Sequence, residues 1–216
     1  MLQNIRIFFS KTDRAKYISH LDMARCWTFA FNRAELPLWY TQGFNPHLYM
    51  TFPLPLSLGF ESDCECLDTR LIERVPLDEV KERINAALPL GICVYKVDEP
   101  KLDQKEIEWS DYDILLECDN SQMICSQLEE YLAQDEIIVS KRSKKGAKDI
   151  DLKPHFTLLQ CKAQDIGIEL KLRMATGITM NVNPTLLIDN FPQHEKFLHS
   201  SYRRTAVLTG DMKKFE

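Results

Sequence analysis

At 216 residues, 44% hydrophobic and 27% charged, the chain has the make-up of an ordinary folded protein and not of a disordered one. That length suits one large domain or two small ones. The formal net charge of -5 excludes a globally basic nucleic-acid binder, so any grip on phosphate must come from a local patch.

No run of about 18 apolar residues occurs, which argues against a membrane-spanning helix. The opening MLQNIRIFFSK has an apolar run too short, and too soon broken by charge, for a signal peptide, so a cytoplasmic location is expected. The seven cysteines are scattered, with no CxxC pair. They read as small buried hydrophobes in a reducing compartment, and no metal site is expected from their spacing.

Taken in order, Asn4 to Ser10 (NIRIFFS) is β-branched and aromatic and predicts a strand. Ser19 followed by Asp22 resembles a capping box and opens a helix over about His20 to Ala34. Leu21, Ala24, Thr28, Phe31 and Ala34 fall on one face and are the expected core stripe. Pro37 closes the helix. Leu36 to Thr41 and Tyr49 to Phe52 read as extended segments around a QGFNPH turn, and Pro53 and Pro55 demote the next segment to a loop or edge.

Asp63 to Ile72 alternates Cys64, Cys66 and Asp68 against Glu65, Leu67 and Thr69, as a strand does. Pro76 introduces a helix carrying Leu77, Val80, Ile84, Ala87 and Leu88 on one face, with Gly91 as its stop. Ile92 to Val97 is a short strand. The element order then recurs after a polar linker, Pro100 to Glu106. A strand covers Tyr112 to Cys118, and Ser121 caps a helix from Gln122 to Ala133 with Ile124, Leu128, Tyr131 and Leu132 inward. Next come a strand at Glu136 to Ser140, a basic loop, and a hairpin of His155 to Cys161 with Ile166 to Met174. A short helix opens at Asn183-Pro184, and Tyr202 to Leu208 is the last strand. Strand, helix, two strands, helix, strand is the split βαβ order. The expectation is an α+β protein of two tandem ferredoxin-like (βαββαβ) units with antiparallel sheets, at 1–100 and 107–216.

Four groups of residues stand out. In the turn, Tyr40, Phe44 and Tyr49 interleave with Gln42, Asn45 and His47, a mixture of stacking and hydrogen-bonding groups suited to bases; an ordinary loop is the alternative. Tyr17, His20, Arg25 and Arg33 lie on and before the first helix and extend this candidate RNA surface. Lys141, Arg142, Lys144, Lys145 and Lys148 make the densest positive run, where phosphate contact competes with a solvated loop. Arg173, Arg203 and Arg204 are expected on one sheet face as an anion site, or in surface ion pairs. His20 and His47 are the acid–base candidates for RNA cleavage, and no third catalytic partner accompanies them.

The motifs YISHLD at Tyr17 to Asp22 and TQGFNPH at Thr41 to His47 resemble those of the radical-SAM-associated protein family, encoded beside or fused to a radical SAM protein. The later KKGAKDIDLKP, LKLRMATG and RRTAVL are similar to that family's second half. The resemblance implies a radical SAM protein as partner, with S-adenosylmethionine and an iron–sulfur cluster held by that partner and no cofactor in this chain. Three functions are open: a non-catalytic module that binds RNA and presents it to a radical SAM enzyme, a metal-independent endoribonuclease of tandem ferredoxin-like architecture, or a protein-interaction scaffold without RNA contact.

Overall fold

The computed structural model describes residues 2–143 and 146–216, and the side chains of these apart from 141–143 and 146–148. It is a mixed α+β structure, mostly antiparallel, with four α-helices and 40% strand among the described residues. The chain divides into two compact units, Met1–Gln104 with Phe215–Glu216, and Lys105–Lys214. Among the described residues, no helix is long and apolar enough to cross a membrane.

The first unit runs β1 (Gln3–Lys11), α1 (His20–Arg33), β2 (Met50–Thr51), β3 (Glu61–Leu71), α2 (Leu77–Ala87) and β4 (Ile92–Asp98). Its sheet order is β4-β1-β3-β2, every neighbour antiparallel. Ile5, Ile7 and Phe9 project from β1 at the period of two that a strand dictates, and they meet Leu67 and Leu71 of β3. Both helices cover that face, bringing Trp27 and Phe31 from α1 and Val80 and Ile84 from α2. Arg6 and Phe8, on the opposite face, are buried as well, which is why β1 reads as a near-continuous apolar run and only loosely alternates.

Ser19 caps α1 as expected, its hydroxyl oxygen accepting from the Asp22 backbone N–H at 3.2 Å. The hydroxyl also donates to the Asp22 carboxylate at 2.8 Å, a variation on the box in which the acid reaches the cap's side chain. The expected core stripe of α1 needs correction. Its buried residues are Met23, Trp27, Ala30 and Phe31, whereas Leu21 is 70% exposed. Trp27 has the most apolar surface to remove from water and rolls the helix toward itself. Its ring packs edge-on against Phe9 and beside Phe31, with centroids 4.9 and 5.4 Å away. The α2 stripe lies as expected, Val80 and Ile84 fully buried and Leu77, Ala87 and Leu88 packed around them.

The second unit runs β5 (Ile107–Cys118), α3 (Ser121–Leu132), β6 (Ile138–Ser143), β7 (Gly146–Asp151), β8 (Phe156–Gln164), β9 (Gly167–Ala175), α4 (Pro184–Ile188) and β10 (Phe197–Thr209). Its sheet order is β10-β5-β9-β8, again antiparallel throughout. Ile124, Leu128, Tyr131 and Leu132 of α3 are buried where the helical period puts them. Ser121 does not cap that helix. Asn120, in a left-handed conformation, holds the cap position, and the Ser121 hydroxyl donates to the Gln164 carbonyl at 2.6 Å. Asn183 does cap α4, accepting from the Thr185 N–H at 3.0 Å. Gly167 begins β9 at φ +154, and a Cβ there would stand 2.2 Å from the Leu116 carbonyl oxygen. Only glycine admits so close an approach.

The basic segment is a hairpin, not a loop. β6 and β7 pair with Val139 opposite Ile150 and Lys141 opposite Lys148. The β-branched residues at its base favour the ladder, and lysine and arginine continue them into it. Lys144 and Lys145 lie outside the described residues, as do the side chains of Lys141, Arg142 and Lys148.

Candidate nucleic-acid interface

The 41–47 turn is built on two short extended arms. Tyr40 bridges Leu48, and Leu38 bridges Leu71 of β3. The Trp39 N–H donates to the Arg70 carbonyl at 2.8 Å, and the Tyr49 N–H to the Trp39 carbonyl at 3.2 Å. The arms are therefore anchored to the end of β3. Arg70 reinforces them from the side, its guanidinium 4.4 Å from the Tyr49 ring centroid and 5.3 Å from that of Trp39. The two rings meet edge to face at 5.7 Å. The Thr69 hydroxyl donates to the Tyr49 carbonyl at 2.7 Å.

The mouth of the turn is pinned by one residue pair. The Thr41 N–H donates to the His47 carbonyl at 2.8 Å, and the His47 N–H to the Thr41 hydroxyl oxygen at 3.1 Å. The His47 Nδ1 lies 3.0 Å from that hydroxyl and 3.2 Å from the Asn45 carbonyl oxygen. Residues 42–47 are exposed, and the Phe44 side chain is fully so. Gly43 sits at φ +138 with open space around its missing Cβ. A pinned base with an apolar ring held out in water is a geometry for stacking against something external.

The other residues of this candidate surface divide between exposed and occupied. Tyr17 is 66% exposed, with the Lys16 ammonium 5.4 Å from its ring. Tyr40 is half exposed. His20 is exposed and packs edge-on to Phe52, centroids 5.2 Å apart. Arg25 pairs with Asp22 at 2.9 Å, and the hydrogen bond from Ser19 together with Arg25 holds that carboxylate below its usual pKa range. Arg33 donates to the Ala87 carbonyl at the end of α2 at 2.7 Å. Arg83 of α2 does the same at the end of α1, donating to the Ala34 and Glu35 carbonyls. Each arginine thus caps the orphan carbonyls of the other helix, and Arg33 serves the fold.

The three arginines of the second unit do not share one face. Arg203 is exposed and Arg204, its neighbour on β10, is 2% exposed, as alternation along a strand requires. Arg173 on β9 is held by Asp111 on β5 through two bonds, 2.7 Å from Nε and 2.9 Å from Nη2, in the parallel fork that guanidinium and carboxylate favour. That partner raises the Arg173 pKa above its ordinary value.

One constellation escaped the sequence. Cys125 of α3 and Cys161 of β8 bring their sulfurs to 3.2 Å, and the Glu129 carboxylate joins them within 4.8 Å. Burial, and then Cys125, push the Cys161 thiol pKa upward. A separation of 36 residues hides the pair from any spacing rule; the one signal was Cys125 and Glu129 at i and i+4 on a helix.

Residues 4–184 match a family described as uncharacterized protein conserved in bacteria (DUF2344). No curated protein matches. Among solved structures, the crystal structure of an unknown protein from Galdieria sulphuraria aligns over 94% of this chain and 98% of its own at 8% identity, with a TM-score of 0.28.

Proposed function

The chain belongs to the DUF2344 family, and we propose that it is a non-catalytic module that binds single-stranded RNA and presents it to a radical SAM enzyme. The observation that carries this reading is the fully exposed Phe44 ring on a turn pinned by Thr41 and His47. Gln42 and Asn45 beside it offer amide donors and acceptors, the combination by which unstacked bases are read. The basic run of β6 and β7 supplies sequence-independent phosphate contacts. Each unit is read as ferredoxin-like, its first and third strands central, an arrangement that favours RNA recognition by analogy only. The enzyme partner comes from the YISHLD and TQGFNPH resemblance. In this reading S-adenosylmethionine and an iron–sulfur cluster belong to that partner, and tRNA and ribosomal RNA are the substrate classes to try.

The test is binding of a fluorescent single-stranded RNA over a range of salt. Phe44→Ala should weaken binding by about 1–3 kcal/mol with little change in salt slope, because stacking releases few counterions. Replacing Lys144, Lys145 and Lys148 by Gln should flatten the slope by about two, at roughly 0.7 per phosphate contact. Wild-type protein with no salt-dependent binding sinks the proposal. Metal-free cleavage abolished by His47→Ala would establish the endoribonuclease instead.

One observation favours the scaffold as a second reading. Leu21, Arg25 and Phe29 line one face of α1 at four-residue spacing, and Leu21 and Phe29 are 70% and 65% exposed. Two large apolar side chains held in water on either side of an arginine suit a protein partner. Loss of co-purification with a radical SAM protein in Leu21→Ser with Phe29→Ser, while RNA binding persists, would assign the two surfaces separately.

A further inference from the structure

We propose that Cys125, Cys161 and Glu129 form a binding site for a borderline-soft divalent cation, zinc(II) before others, where α3 lies against β8. The three ligand atoms converge within 4.8 Å. The sulfurs stand 3.2 Å apart, closer than two unbonded sulfurs ordinarily rest and far beyond the bond length of about 2.05 Å in a disulfide. A tetrahedral zinc with bonds to sulfur of about 2.3 Å spreads two thiolates to about 3.8 Å. Small side-chain rotations that open the pair by about half an ångström therefore suffice.

The surrounding fold builds the site with a dry side and a wet side. Cys125 belongs to the buried stripe of α3 with Ile124, Leu128 and Leu132. Glu129 stands one turn further along the helix and is exposed. Cys161 lies on β8, the outer strand of the β10-β5-β9-β8 sheet, paired with Leu170. The cation would enter past the carboxylate and seat against the sulfurs, exchanging the two thiol protons for the metal.

The donor set selects the ion. Two sulfurs exclude magnesium and calcium, which require oxygen ligands. Two sulfurs and one carboxylate suit zinc or cobalt(II), and three protein ligands leave a fourth position for water. A disulfide would account for the two cysteines alone, and it has no use for the convergent Glu129.

The experiment uses the full chain, purified with a reductant and stripped with a chelator, then titrated with cobalt(II) and back-titrated with zinc(II). Expected is one cobalt per chain, a sulfur-to-cobalt charge-transfer band, tetrahedral visible absorption, and loss of both on adding zinc. Cys125→Ser with Cys161→Ser should abolish the band. Glu129→Gln should weaken binding by about tenfold or more, the cost that even supporting groups of a metal site carry. Cys93→Ala, at an exposed cysteine of the first unit, should leave the titration unchanged. Circular dichroism checks each variant. If the double variant fails to fold, Cys161→Ser and the exposed Glu129→Gln decide. The proposal is overturned by wild-type protein without a charge-transfer band, by a band that survives loss of both cysteines, or by a Cys125–Cys161 disulfide that persists in reductant and blocks cobalt.

Discussion

The two units use the same fastener and cover it differently. In the first, Arg6 on β1 reaches across to Asp68 on β3, with Nε and Nη2 at 2.7 and 2.8 Å from the two carboxylate oxygens. In the second, Arg173 on β9 forks onto Asp111 on β5 at 2.7 and 2.9 Å. Each pair joins directly opposed residues on two neighbouring inner strands, and the arginine has changed strands between units. Arg6 is sealed: its third nitrogen donates to the Leu102 carbonyl at 3.1 Å, and the Phe215 ring lies 4.5 Å from the guanidinium. Its side chain is 2% exposed, against 26% for Arg173. Burial works against the Arg6 charge, and Asp68 outweighs it, raising the pKa above its ordinary value. A bidentate arginine in an antiparallel ladder is thus a strand fastener first, and only its uncovered part is left for solvent or a ligand.

The largest effects should come from the sealed unit. Arg6→Met removes a fully buried guanidinium, with its bonds to Asp68 and the Leu102 carbonyl and its contact with the Phe215 ring, and should cost about 3–5 kcal/mol in urea unfolding. Phe31→Ala, from a fully buried site on α1, should cost a similar amount, about 3–5 kcal/mol. A loss under about 1 kcal/mol for Arg6→Met would mean that the pair fastens nothing.

Arg173→Met should cost less, about 1–2 kcal/mol, because the part-exposed Arg173 gives up less buried packing than the sealed Arg6, the two carboxylates being about equally covered. Equal losses for the two arginines would break the comparison. A second readout sharpens it: Arg173→Met should leave RNA affinity nearly unchanged if the side chain is committed to Asp111.

The same contrast explains what was legible in the sequence. Elements with strong periodicity could be read, including α2, α3 and the β8–β9 hairpin, and β1 was legible from its β-branched and aromatic run. The inward positions of α3 were plain because Ile124, Leu128, Tyr131 and Leu132 leave no rival face. On α1 two faces compete, since Leu21 and Phe29 are as apolar as Met23 and Phe31, and only packing against Phe9 selects the Trp27 face. Leu21→Ala should accordingly change stability by less than about 0.5 kcal/mol. The Arg6–Asp68 pair was invisible because an arginine between apolar neighbours signals nothing until β3 arrives opposite. The turn was legible as a cluster of residue types, whereas its Thr41–His47 pin and the Arg70 stack behind it depend on contacts that no periodicity encodes. Cys125 and Cys161 met only through the packing of α3 on β8.

The smallest expected effect belongs to a half-buried carboxylate, and it has a sign that pH can test. Asp151, at the end of β7, accepts from the Ile137 and Lys153 backbone N–H groups, each at 2.9 Å. Those two bonds, ahead of any nearby charge, hold its pKa below the usual carboxylate value. A folded-state pKa below the unfolded one means that the folded protein favours the charged form. The stabilisation is then complete above the unfolded value of about 3.9 and is lost as pH falls through the lower folded value. Asp151→Asn keeps an acceptor oxygen at the same place and removes the titration. The difference in urea midpoint between wild type and variant should be small and constant from neutral pH down to mild acid, and should shrink toward zero below the usual carboxylate range. Asp22, Asp98 and Asp211 also have lowered pKa values, so the wild-type acid limb alone reports several groups together. The difference between the two proteins isolates one. A gap that stays constant or widens at the lowest pH would show that the two backbone bonds do not favour the ionised form, and the β6–β7 hairpin would then owe its base to the Val139–Ile150 pairing alone.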